Sequence, residues 1–144
     1  MTQRQLHSAA LLGGIALTVL MLWVQPRLAS VSVSIMVQGG GLAFVAAAAT
    51  KVIVQLAFFA PGLLVGWIAK TDSLSLGVLA GLVGALVYSI ALGTVLQTPP
   101  HPYLPNPWSW VIGDALAQGL ITGVAAGAAQ LLRSNKSLER TRAR

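Results

Sequence analysis

Among the polar side chains that interrupt the apolar runs of this chain are two pairs of equal spacing: Lys51 with Gln55, and Asp114 with Gln118. Residues four apart share one face of a helix, so each pair offers a charge and an amide side by side. A carboxylate and an ammonium brought together in this way could bind an ion, a proton or a small polar solute. They could equally form a salt bridge that does no more than fix which two helices meet. An ionisable side chain at the centre of a membrane span costs about 2.5–3.5 kcal/mol on insertion scales, and less near the interface. Something must therefore compensate both charges, and each is the natural partner of the other. The orienting salt bridge is the preferred reading. A transport or channel site at Lys51, Gln55, Asp114 and Gln118 is the alternative.

Other chemistry finds little support. Cysteine is absent, which removes thiol nucleophiles and thiolate metal sites. There is no G-x-S-x-G elbow, no H-E-x-x-H pair and no phosphate loop. Asp72 and Glu139 are the remaining acids, and nothing in the sequence places them together. His7 and His101 fall at opposite ends of the spans described next, so they cannot share a metal or a haem. No enzymatic activity, metal or cofactor is expected.

The elements that must hold these residues are set by composition. Of 144 residues, 56% are hydrophobic and only 8% charged, with mean hydropathy +0.78. Soluble domains carry about 25% charged residues, so this chain has too few to cover a globule in water. A helical crossing of a bilayer takes about 20 apolar residues, and the apolar runs are too continuous for the alternating strands of a membrane barrel. The expectation is an all-α integral membrane protein, one membrane domain over 1–144, with four transmembrane helices at about 7–25, 42–69, 73–97 and 108–132. Pro26 and Arg27 close the first, with Trp23 at its boundary. Pro61 kinks the second by freeing a carbonyl near Ala57. Asp72 or Ser73 can cap the third. Residues 98–107, TPPHPYLPNP, form a stiff proline-rich bridge to the fourth, which opens at Trp108 and Trp110.

Residues 28–41 fit this scheme least well. Valines and serines alternate, as in a strand, while Ser30, Ser34 and Gln38 also share a helical row. A lone strand cannot leave its backbone unpaired in hydrocarbon. An amphipathic segment lying at the interface, broken by Gly39-Gly40-Gly41, is the preferred reading, with pairing to a partner protein as the second.

The net charge of +6 is read by position. With four crossings Arg4, Lys70, Arg133, Lys136, Arg140, Arg142 and Arg144 lie on one side, leaving only Arg27 and Lys51 on or near the other. Basic residues mark the cytoplasmic side, so both termini are expected there, with the serine/valine segment and proline loop outward. Arg133, Lys136, Arg140, Arg142 and Arg144, in the tail 133–144, would touch anionic lipid headgroups. Nucleic acid needs no place in the account.

Small residues recur at four-residue spacing: Gly62 and Gly66; Gly77, Gly81 and Ala85; Gly119, Gly123 and Gly127. Such rows let helix backbones approach closely, against one another or a second copy. The overall composition is similar to that of many small bacterial inner-membrane proteins, which implies a multi-pass location in a cell membrane but carries no residue across. The function expected is that of an accessory or structural subunit of a larger membrane assembly, or of a homo-oligomer, with lipids and other membrane subunits or itself as partners.

Overall fold

The computed structural model describes residues 2–37, 39–69, 71–95 and 107–142, excluding the side chains of residues 29, 32, 36, 92–95, 107, 110 and 136–142. Every element among them is a helix: α1 (Gln3–Val37), α2 (Gly41–Ala57), α3 (Ala60–Ile68), α4 (Ser73–Val95) and α5 (Pro107–Arg142). Helices α2 and α3 together form one apolar stretch, so four are long and apolar enough to cross a membrane: Gln3–Ile35, Gly41–Ile68, Ser73–Ala91 and Val111–Asn135. By length and composition this is a multi-pass membrane protein.

Pro61 acts as its chemistry requires. It has no N–H to give the carbonyl four residues back, and the helix yields there. Phe58 and Phe59 form a turn whose N–H groups donate to the Gln55 and Leu56 carbonyls at 3.2 and 3.1 Å. Regular bonding resumes with Leu63 N–H to Phe59 O at 2.9 Å.

Pro26 behaves differently, and corrects the expected end of the first helix. Instead of stopping at residue 25, α1 continues through Pro26 to Val37. The serine/valine stretch is thus the last third of α1, not a separate interfacial element and not a strand. The Ser30 hydroxyl donates to Arg27 O at 2.7 Å and that of Ser34 to Ser30 O at 2.9 Å. They thereby bond back to their own helix, as short hydroxyl side chains can. The turn to α2 falls on Gly39 and Gly40, whose φ angles of 76° and 97° suit residues without a Cβ.

At the α3–α4 turn, Ser73 does not serve only its own helix end. Its buried hydroxyl reaches across to α5, donating to Ala126 O at 3.2 Å and to Gln130 Oε1. The fourth helix runs past the expected residue 132 to Arg142. The proline-rich bridge, with His101 and Tyr103, and Arg144 lie outside the described residues.

Helix α5 packs on α3 and α4, while α1 packs on α2, α3 and α4. The core is built mainly of small side chains. Ala10, Val65, Ala69, Ala80 and Ala126 are buried together. Leu22, Ala85 and Ala115 form a second group, flanked by Phe58, Leu86 and Tyr88. Helix α2 stands apart from this core, held against α1.

Candidate functional site

The small-residue rows meet one another inside a single chain. A methyl group on Gly62 would collide with the Thr122 carbonyl and lie 2.6 Å from the Ala125 methyl; one on Gly66 would collide with the Ala126 carbonyl and lie 2.7 Å from the Ala129 methyl. On α4, a methyl group on Gly77 would lie 2.6 Å from the Ala126 methyl, and one on Gly81 would collide with the Gln118 carbonyl and lie 2.6 Å from the Thr122 hydroxyl. Gly123 is closed in by the Val78 side chain, and Ala85 is fully buried. Gly119 and Gly127 are looser, with nearest atoms at 3.2 and 3.5 Å. Helices α3 and α4 thus press their glycines onto adjacent strips of α5, and the rows are used up by these contacts.

A further row was hidden in the first apolar run. Ala10, Gly14, Thr18 and Leu22, each four residues on, are all buried. A methyl group on Gly14 would lie 2.8 Å from the Ala80 methyl, and one on Gly84 2.7 Å from Thr18 Cβ. The spacing was visible, but only one of the four is glycine. Thr18 donates to its own Gly14 carbonyl at 2.8 Å, so a hydroxyl enters this packed face without needing another helix.

The four polar candidates are not brought together. Gln118 is buried and Asp114 half-buried on α5, whereas Lys51 and Gln55 are exposed on α2. The two helices pack against different neighbours: α2 on α1, α5 on α3 and α4. Among the described residues neither Lys51 nor Asp114 makes an ion pair. Tyr88 of α4 flanks the buried group of Leu22, Ala85 and Ala115, and the Arg27 guanidinium stacks 3.5 Å from the Trp23 ring centroid. Ser89 and Thr122 are buried with hydroxyls that have no hydrogen-bond partner among the described residues.

By count along the helices, their depths agree. Gly66 lies beside the Ala126–Ala129 turn and Gly62 beside the Thr122–Ala125 turn, so α3 and α5 run the same way in fixed register. Counted through α2 as if the helix ran straight, that register would set Gln55 level with Leu116 and Lys51 level with Ile112. Lys51 would then be two residues from the level of Asp114, about 3 Å along the axis. What separates the charges is direction, because above the Pro61 kink α2 follows α1.

At the opposite end, Arg133 donates from Nη1 to Trp67 O at 2.8 Å, satisfying a carbonyl in the last turn of α3, where a cation is favourable. Gln3 donates to the Thr71 hydroxyl at 2.8 Å, and Thr71 lies 3.3 Å from His7 Nε2. The beginning of α1, the α3–α4 turn and the lower part of α5 therefore share one end of the bundle. The side chains of Lys136, Arg140 and Arg142 lie outside the described residues, on the continuation of α5. Comparison with protein-family models, with curated proteins and with solved structures yields no match.

Proposed function

We propose that this chain is a subunit of a membrane assembly, acting through helix–helix contacts in the bilayer as an accessory or structural component or as a homo-oligomer. The observation that carries this reading is the state of α2. In the Gly41–Ile68 crossing 6% of the most apolar window is buried within the chain, against 44% for Val111–Asn135. Yet this least covered crossing bears an ammonium and an amide, Lys51 and Gln55, on exposed positions. A helix facing only lipid gains nothing from either group and bears the cost of the charge. A protein neighbour would give both a purpose. The glycine rows no longer supply the reason, since they are spent inside the chain.

The orientation that fits places the termini and the basic end of α5 in the cytoplasm, in the inner membrane of a bacterial cell. There Arg133 and the basic residues after it would each add about 1 kcal/mol of attraction to anionic headgroups. No catalytic role is proposed. The rival transport reading needs Lys51, Gln55, Asp114 and Gln118 to converge, which one chain does not achieve.

Extraction in a mild detergent followed by native mass measurement tests the proposal. The expected particle is larger than the 14.9 kDa chain; a lone monomer under conditions that preserve known membrane complexes overturns it. If Lys51→Met with Asp114→Asn left the particle intact but abolished an ion flux into vesicles, the transport reading would replace it.

A further inference from the structure

We infer that the neighbour is a second copy of this chain, with Lys51 on α2 of one copy pairing with Asp114 on α5 of the next. This rests on the assembly reading and names its partner. Asp114 and Lys51 stand in the Val111–Asn135 and Gly41–Ile68 stretches and are of opposite sign; the other charged side chains in the four stretches, Arg4, Arg27 and Arg133, are all basic. Lys51 and Asp114 each lack an ion pair among the described residues. A partner of other chemistry would have to supply an acid for Lys51 and a base for Asp114. A second copy supplies both at once.

Depth gives the second step. Identical copies in one membrane share an orientation, so a residue keeps its level from copy to copy. Because the α3–α5 register, counted straight through α2, brings Lys51 within about 3 Å of the level of Asp114, rotation about the membrane normal can join them without lifting either copy. Gln55 and Gln118 follow one turn deeper, likewise about 3 Å apart in level. This match has no use within one chain, where α2 is held on α1.

Access is the third step. Lys51 is exposed, and beside Asp114 the place of a Cβ on Gly113 has no atom within 4 Å. Ile112 and Leu116, on the same stretch of α5, are 54% and 53% exposed. An incoming helix meets open small and apolar surface next to the carboxylate. The contact is heterologous, α2 to α5, so every copy offers both halves, and a rotation that closes gives a ring.

The chain has no cysteine, so introduced thiols report without background. Two differently tagged chains, one with Lys51→Cys and one with Asp114→Cys, are co-expressed and treated in the membrane with a bis-methanethiosulfonate reagent of lysine–aspartate span. The expected product is a linked dimer bearing both tags, absent when either variant is expressed alone. One chain carrying both changes should give a ladder of linked species. A linked monomer from that double variant, or linked dimers from Lys51→Cys alone, overturns the inference. Charge exchange provides the second arm. Lys51→Asp or Asp114→Lys alone should lose the oligomer, and the two combined should recover it. If the native particle exceeds one chain but neither cross-link nor recovery occurs, this pairing falls and the assembly reading stands. If the unmodified protein is a lone monomer, both fall.

Discussion

At Gly66 one methyl group separates close packing from collision. Its Cβ position is taken by the Ala126 carbonyl, an atom of the α5 backbone that cannot step aside. Gly66→Ala should therefore push α3 off α5 and cost about 1–3 kcal/mol, the usual range for overpacking, read as a lower denaturant midpoint in mixed micelles. Gly127→Ala meets only Leu74 side-chain atoms at 3.5 Å and should be silent in the same assay. Hydroxyls divide in a similar way. Ser73→Ala takes the donor from Gln130 Oε1 and should cost about 1 kcal/mol, whereas Thr122→Val removes an unpartnered hydroxyl and should be neutral or stabilising. Glycines 62, 66, 77 and 81 were legible because a four-residue repeat of the smallest residue has few other uses in an apolar helix. Gly14, Thr18 and Gly84 were not, because an alanine–glycine–threonine–leucine row resembles any apolar run. The spacing of Lys51 with Gln55 and of Asp114 with Gln118 was legible too. That they point to different neighbours was not, since the direction of α2 above its kink is a property of packing.

At the scale of the element, the two prolines that interrupt apolar helices separate local rule from tertiary outcome. Both remove one helical hydrogen bond. At Pro61 the helix breaks, and the bend lets α3 lie along α5 while α2 follows α1. At Pro26 the helix continues to Val37. Residues 28–41 were hard to read for this reason: alternation of valine and serine suits a strand face equally well, and only the missing pairing partner decides for helix. The two sites should respond oppositely to alanine. Pro26→Ala restores an N–H to a helix that already runs through it and should stabilise, by up to about 3 kcal/mol on the scale of interior prolines. Pro61→Ala restores the same bond but favours a straight helix that cannot satisfy α1 and α5 together. It should lower the unfolding midpoint and weaken any contact made through Lys51.

At the scale of the molecule, the helices are unequal in a way that bears on which surfaces meet water. Helix α1 has 35 residues and α4 has 23, about 52 and 34 Å at 1.5 Å per residue. A hydrocarbon core is about 30 Å thick, so α4 fits it and α1 exceeds it. The contacts of Gln3 and His7 with Thr71 hold the start of α1 level with the α3–α4 turn. The excess must then emerge at the other end, lifting the α1–α2 turn and Ser34 clear of the core. If the basic end is cytoplasmic, Ser34 faces the outside and Thr141, near the end of α5, faces the inside. In the cysteine-free background an impermeant maleimide applied to intact cells should label Ser34→Cys and leave Thr141→Cys unlabelled until the membrane is opened. The reverse pattern would invert the topology. Protection of Ser34→Cys in cells, relieved when detergent dissociates the particle, would show that the raised turn is covered by a neighbouring subunit.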